Sequence, residues 1–405
     1  MINGTHIAAA RRIEGLDEYY FSRKLAEVRA LHTAAHPVIN LGIGNPDLPP
    51  PPEVIEALMA SAQNPLHHGY QPYTGVPALR SAISGFTERF FGIRPDADSM
   101  ILPLIGSKEG IVHISLAFLN EGDEVLVPDP GYPTYAAAAA LAGATVTTYS
   151  INYDGSVINI DELYNRDLSR VKLMWINFPH MPTGRTCDRQ LMRDLVTLAR
   201  RKNILLVNDN AYALIRNQSP VSLLSVPGAE AIALELNSLS KSHNMAGWRL
   251  GWVTGRKEFI QHILRVKSNM DSGMFLPVQH AAATALQLNE SWFAHLNKIY
   301  AQRAEKVYRL LDSLNCCYNT DRAGLFVWAR LPEGLNDTVF IDEVLYGARI
   351  FITPGSVFGR NGQGFVRVSL CVPSEKIEEA TQRIDEWKLK SGKIPSVIET
   401  KFQQT

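Results

Sequence analysis

The run Asn237-Ser238-Leu239-Ser240-Lys241-Ser242-His243-Asn244-Met245-Ala246-Gly247-Trp248-Arg249-Leu250-Gly251 follows a short apolar segment, Ala231–Leu236, and carries few charges. Its lysine stands between small hydroxyl residues. A lysine amine forms Schiff bases with carbonyl compounds when it is desolvated or held near another cation, and Arg249 is that cation here. Two serines and a guanidinium fork also suit a phosphate. Ser-x-Ser-Lys alone reads more simply as a solvated loop lysine. The whole string favours the chemical reading.

On either side of this run, helix-like and strand-like segments alternate. Helices are predicted at Pro77–Phe90, Ser107–Leu119, Thr134–Ala142, Asp188–Lys202 and Pro277–Leu288. Between them lie β-rich runs at Glu124–Val127, Thr145–Tyr149, Val171–Asn177, Ile204–Asn208, Ala231–Leu236 and Leu250–Thr254. This alternation predicts an α/β fold with a mainly parallel sheet covered on both faces. A long helix at Trp292–Leu314, strands near Leu325–Arg330, Arg349–Ile352 and Phe365–Leu370, and a last helix at Ser374–Lys390 predict a smaller α+β lobe. Leu16–Ala34 reads as an amphipathic helix and Val38–Leu41 as a strand. The prolines from Pro49 to Pro52 predict an extended connector. The expected division is an N-terminal segment, 1–50, that contributes to the small domain, a large domain over 51–288, and a small C-terminal domain over 289–405. Ligands of open α/β sheets bind beyond the carboxyl ends of the strands. Asn177, Asp209, Ser238 and Lys241 each close a predicted strand or begin the loop after it.

The Asn237–Gly251 string resembles the pyridoxal-5′-phosphate (PLP) lysine signature of the class I/II aminotransferases, the fold type I or aspartate aminotransferase superfamily. The similarity runs from about Ile39 to the last helix. It implies a PLP enzyme in which Lys241 forms the Schiff base with the cofactor. It implies that Ser107 and the Lys108 amide, in Ile105-Gly106-Ser107-Lys108-Glu109-Gly110, hold the phosphate at a helix N-terminus, where backbone N–H groups bind anions. Ser238, Ser240 and Arg249 complete that anchor. Tyr132, in Pro128-Asp129-Pro130-Gly131-Tyr132-Pro133, then stacks on the pyridine ring. Asp209, in Val207-Asn208-Asp209-Asn210-Ala211-Tyr212, pairs with the pyridine nitrogen and makes the ring an electron sink. Tyr212 bonds the ring hydroxyl. Arg367, on Phe365-Val366-Arg367-Val368-Ser369, grips the substrate α-carboxylate with a bidentate fork. Gly44 lies where backbone approaches substrate. Tyr70 matches a tyrosine that reaches the phosphate of a neighbouring subunit, which implies a homodimer with shared active sites. Taken singly, these residues have plainer readings: a capped helix start, a core tyrosine, an N-capping aspartate, a surface arginine.

One position departs from the family pattern. An asparagine usually stands before Pro-Thr-Gly and donates to the ring hydroxyl; here the turn is Asn177-Phe178-Pro179-His180-Met181-Pro182-Thr183-Gly184. Methionine has no donor. Asn177, His180 or a water substitutes, or Tyr212 acts alone, and Lys241 is expected to hold its Schiff-base proton more tightly than in relatives.

The implied activity is amino transfer from an L-amino acid to a 2-oxo acid through PLP. The same residues also serve C–S β-lyases and other Cα chemistry on this fold. A PLP-binding regulatory module is the remaining alternative, weakened because only about forty residues precede the core and no basic excess marks a DNA-binding domain. The N-terminal region, with Tyr19-Tyr20-Phe21 as a lid, resembles the branch holding LL-diaminopimelate and alanine aminotransferases. No residue reads as a contact specific to one substrate side chain.

Bulk properties agree with this reading. The 405 residues exceed the size at which one core stops growing, about 250–300 residues. Lys+Arg and Asp+Glu are both 40, so nothing in the net charge favours nucleic acid or an anionic membrane. The four cysteines, Cys187, Cys316, Cys317 and Cys371, form neither a disulfide framework nor a metal pattern. No metal is expected, and a reducing cytoplasm fits. Met1–Arg12 lacks an apolar signal region, and the most apolar stretch, Tyr135–Val146, is too short to span a bilayer.

Overall fold

The computed structural model describes residues 8–14 and 20–391. Leu16 and Tyr19 of the expected N-terminal helix, and the tail beyond Ser391, lie outside them. Strand β1, Ile39–Asn40, precedes a seven-stranded sheet built from β2 Ile101–Leu104, β3 Glu124–Asp129, β4 Thr145–Ser150, β5 Val171–Ile176, β6 Leu205–Asp209, β7 Ala233–Ser238 and β8 Gly251–Gly255. The spatial order is β2-β8-β7-β6-β5-β3-β4. From β7 through β4 the neighbours are parallel. β8 runs antiparallel to both β7 and β2. The reversal follows from the connection: Leu239 N donates to Leu250 O at 3.1 Å, closing the lysine loop on itself. Without a covering crossover helix the chain cannot enter parallel, so β8 returns beside the strand it just left.

Apart from exposed Lys172, the strands β5, β6 and β7 are buried, as strands covered on both faces must be. Side chains alternate between two cores. Leu173, Trp175, Val207 and Leu236 face one, with Ile111 and Ile114 of the Ser107–Phe118 helix. Met174, Ile176 and Leu206 face the other, with Leu195 and Val196 of the Arg189–Lys202 helix. That helix is bounded by local chemistry: Asp188 accepts from Leu191 N at its start, and Asn203 adopts φ 55° at its end. β2 contains Pro103, which hides it from a pattern search. Because β2 is an edge strand, the missing donor leaves no ladder bond unmade.

A second sheet, in the order β12-β13-β10-β9, comprises β9 Cys317–Tyr318, β10 Phe326–Arg330, β12 Thr353–Pro354 and β13 Phe365–Ser369. β11, Ile350–Phe351, pairs in parallel with β1. The expected strand at Arg349–Ile352 thus forms as β11, but it pairs with the N-terminal segment rather than with the second sheet. The Tyr20–Leu31 helix buries Phe21 and Val28 against this same core, with Leu41, Tyr300, Phe351 and Ile377. It ends at Leu31, before Ala34, because a turn at Thr33–His36 closes the chain there. Asp47 and Arg303 form a two-pronged ion pair at 2.6 and 2.7 Å, with Arg303 only 5% exposed. Among the described residues, no helix is long and apolar enough to cross a membrane.

Candidate active site

A cavity of about 380 Å³ opens at the carboxyl ends of β5, β6 and β7, where antiparallel β8 begins. It is lined by Ser107, Lys108, Tyr132, Asn177, Asp209 and Tyr212, by Ser238, Ser240, Lys241 and Arg249, and by Gly44 and Arg367. The structure thus brings together every expected site residue except Tyr70. Tyr70 is 91% exposed on a loop outside the cavity of its own chain.

At one end, the first turn of the Ser107–Phe118 helix meets the lysine loop. Amides of a first helical turn lack partners within the helix and favour an anion. Gly106, at φ 79°, caps the turn, and a side chain there would strike Arg249 Nη2 at 2.2 Å. A Cβ on Gly251 would meet Ser107 N at 2.7 Å. Both glycines are needed for β8 and the guanidinium to reach this turn. Ser238 Oγ accepts from Ser240 N at 3.1 Å, which folds the two hydroxyls back toward the same end.

Behind the turn lies a group that the sequence reading missed. Glu109 accepts from the Ile105 amide and from His113 Nε2, 2.8 Å away. Lys267, 1% exposed, donates to Glu109 at 3.2 Å and to Asp271 at 2.5 Å. Burial alone would raise the Glu109 pKa, but His113, Asp271 and Lys267 outweigh it and hold the group down at about 2. Glu109, His113 and Asp271 sit within metal-ligand distance of one another, but the Lys267 ammonium fills that role. The signal was a glutamate three residues past the helix cap, the capping-box spacing.

Asp209 closes β6 in full burial. Tyr135 Oη donates to its Oδ2 at 2.9 Å, and Tyr135 itself stacks on Trp175 at 5.0 Å. Oδ1 is buried with no partner among the described residues. Desolvation pushes the Asp209 pKa up to about 6, against the opposing Tyr135 bond and the Lys241 charge. An unpaired buried carboxylate oxygen costs free energy unless a ligand donor meets it.

Lys241 donates from Nζ to Gly44 O at 2.6 Å. Burial is the main cause that depresses its pKa, and the nearby Arg367 and Arg249 charges add to it. Gly44 has no room for a side chain, since a Cβ would lie 2.2 Å from the Phe326 ring. Arg367 donates to Gly42 O at 2.7 Å and to the Met181 sulfur at 3.2 Å. Its guanidinium carbon lies 3.9, 4.6 and 5.5 Å from the ring centroids of Phe326, Phe358 and Phe21. Asn177 is engaged inside the protein: it donates to Asp209 O at 2.5 Å and accepts from Met181 N at 2.8 Å. His180 Nδ1 faces Thr183 Oγ1 at 2.8 Å, and burial lowers its pKa to about 3, so the ring is neutral. Tyr132 and Tyr212 stand on the cavity wall, and burial pushes the Tyr212 phenol pKa up.

Residues 36–384 match the family model described as aminotransferase class I and II. The chain belongs to this family. It is 37% identical over 382 residues to the LL-diaminopimelate aminotransferase of Maridesulfovibrio salexigens, covering 93% of this chain and 98% of that one. The Aquifex aeolicus LL-diaminopimelate aminotransferase is 38% identical, covering 87% and 92%. Among solved structures, apo-BacF from Bacillus subtilis superimposes with a TM-score of 0.90 at 32% identity, covering 94% and 98%. The family-wide fold is thus the expected fold type I architecture, and the protein is a PLP-dependent aminotransferase. The cavity fits that cofactor. The open Asp209 oxygen suits a cationic N–H, and the Gly106/Gly251 recess with Arg249 suits a phosphate.

In the apoprotein, Tyr135→Phe removes the bond that lowers the Asp209 pKa. The Asp209 titration midpoint is expected to rise above about 6. Infrared difference spectra of the protonated carboxyl band across pH 5–8, compared with wild type, check this.

Proposed function

We propose that Lys241 is the residue that links PLP and moves the proton during amino transfer from an L-amino acid to a 2-oxo acid. The observation that carries the reading is the position of Lys241 Nζ in one cavity with the open oxygen of Asp209, the anion-binding turn and Arg367. When bound, PLP supplies an electron sink that acidifies the Cα–H of the amino acid and carries its amino group to the acceptor. Lys241 Nζ, its charge disfavoured by burial, would take the proton from Cα as a general base and deliver it as a general acid to the C4′ carbon of the cofactor. Ser107, the Lys108 amide, Ser238, Ser240 and Arg249 would hold the phosphate. Asp209 would hold the pyridine nitrogen, Tyr132 would cover the ring face, and Tyr212 would donate to the ring oxygen. Arg367 would orient the substrate carboxylate between Gly44 and Asn177.

With Lys241→Ala, amino transfer is expected to fall by about 10²–10⁴-fold or more, the usual share of a positioned general base. Borohydride reduction of the wild-type holoenzyme should add the cofactor mass to the Lys241 peptide. Reduction that labels another lysine instead would overturn the assignment.

Met181 offers no donor to the cofactor's ring oxygen, so the Lys241 nitrogen keeps its proton to higher pH. The indirect support is that Asn177 is already engaged with Asp209 O and Met181 N, and that His180, which turns Nδ1 to Thr183, is not among the residues that line the cavity. Met181→Asn should move the pH midpoint of the cofactor's visible absorption down by about one to two units, the equivalent of one hydrogen bond to a charged group. An unmoved midpoint would remove the role given to Met181.

The same reading includes a cytoplasmic homodimer with shared sites and the division into 51–288 and 289–405, with 1–50 joining the smaller part. The exposure of Tyr70, beside exposed Leu66, Met270 and Phe275, supports a covering partner. Light scattering is expected to give twice 45.0 kDa. The relatives' named substrate, LL-diaminopimelate, is a donor to test here.

A further inference from the structure

We infer that this aminotransferase selects amino acids with large apolar side chains, aromatic ones included, through a wall formed by Phe21, Leu25, Ile43 and Phe358. The inference rests on the reading of Arg367 as the carboxylate anchor. Arg367 lies 5.5 Å from the Phe21 ring and 4.6 Å from the Phe358 ring. Leu25 stands one helical turn after Phe21, on the same face of the Tyr20–Leu31 helix, and also lines the cavity. Ile43 immediately precedes Gly44, whose carbonyl receives the Lys241 amine. A substrate with its carboxylate on Arg367 and its Cα near Lys241 therefore has this wall beside it.

The chemistry of the wall is one-sided. Among the described residues, the other charged side chains of the cavity, Lys108, Asp209, Lys241 and Arg249, belong to the anion-binding turn, the β6 end and the lysine loop. The wall itself offers neither a carboxylate for a distal ammonium nor a cation for a distal carboxylate. Burying an unpaired charge there is costly, whereas an apolar side chain gains by leaving water. The Phe21 ring is itself held in place by an edge contact with Tyr20 at 5.5 Å and a tilted contact with Phe358 at 6.3 Å. The wall is thus a supported surface rather than one loose side chain.

The test uses the PLP-loaded wild-type enzyme and follows loss of its visible band in single turnovers with L-phenylalanine, L-leucine, L-alanine, L-aspartate and LL-diaminopimelate. Phenylalanine and leucine should exceed the other three in kcat/KM by about ten- to a hundredfold, the worth of one buried apolar side chain. In parallel, calorimetry on the same holoenzyme measures two unreactive carboxylates. 3-Phenylpropanoate should bind at least about tenfold more tightly than pimelate. Phe21→Ala and Leu25→Ala should each shrink both preferences, and Phe21→Leu should keep most of them. A preference for aspartate or LL-diaminopimelate, or for pimelate over 3-phenylpropanoate, would overturn the inference. So would preferences that neither alanine variant changes. If no amino acid discharges the band, the amino-transfer reading fails instead, and the calorimetric pair still decides the character of the wall.

Discussion

The fold buries a carboxylate at the end of β6 and leaves one of its oxygens unpaired. Asp209 sits in the middle of the sheet, flanked by β5 and β7, and Tyr135 can satisfy only Oδ2. An apolar residue would stabilise the empty protein better at that point. The arrangement makes sense only if a cationic donor arrives from the cavity. That single constraint orients the rest. On the proposed reading, Asp209 would hold that donor, the Ser107 turn would hold a phosphate, and Lys241 would serve the reacting carbon. The antiparallel return of β8 makes the geometry feasible. It brings Arg249 back to the edge that Ser238 had just left, so both flanks of one short loop address one ligand.

The second half of the cavity comes from elsewhere in the chain. Gly42 and Gly44 lie just beyond β1, which pairs with β11, and their carbonyls receive Arg367 and Lys241. The N-terminal segment therefore bridges Lys241, on the loop after β7, and Arg367, on β13 of the second sheet. The Asp47–Arg303 pair pins the segment to the Glu290–Ser313 helix, and Arg303 also donates to Leu370 O at 3.0 Å. Removing one partner of such a buried pair typically costs about 3–5 kcal/mol. The segment is thus anchored downstream of Gly44, while the Tyr20–Leu31 helix upstream carries Phe21 to the cavity.

How much of this was legible in the sequence follows from where the information sits. The chemistry was readable because it is local: Ser238, Ser240, Lys241 and Arg249 share one loop, and Ser107 opens a helix beside Gly106. The parallel core strands were readable as continuous apolar runs. β2 was not, because Pro103 contradicts a strand unless its place at the sheet edge is known. The Lys257–Lys267 helix was missed for a different reason. It is rich in charge, and its buried Ile260, Ile263 and Lys267 include a lysine that no hydrophobic pattern counts. Tyr135 lies three residues past Tyr132, yet nothing local announces a partner that is 74 positions away. The aromatic surroundings of Arg367 are likewise assembled from residues 21, 326 and 358, which only the tertiary fold brings together.

Lys267 shows how such a long-range arrangement can serve a local one. A lysine almost fully removed from water needs its charge balanced, and Glu109 and Asp271 do this from two directions. Glu109 also takes the Ile105 amide, so its carboxylate fixes the backbone immediately before Gly106. Asp271 accepts from the Gly273 amide at 3.0 Å. A side chain on Gly273 would collide with Gln71 O at 2.5 Å, next in sequence to Tyr70. Charge-assisted contacts therefore run from the anion-binding turn, through a buried ammonium, to Gly273, which packs against the loop that carries exposed Tyr70. The bonds among Lys267, Glu109 and Asp271 are charge-assisted, and such bonds hold geometry more firmly than neutral ones. The turn that would receive a phosphate and the surface that would receive a second subunit are thus braced by one buried lysine.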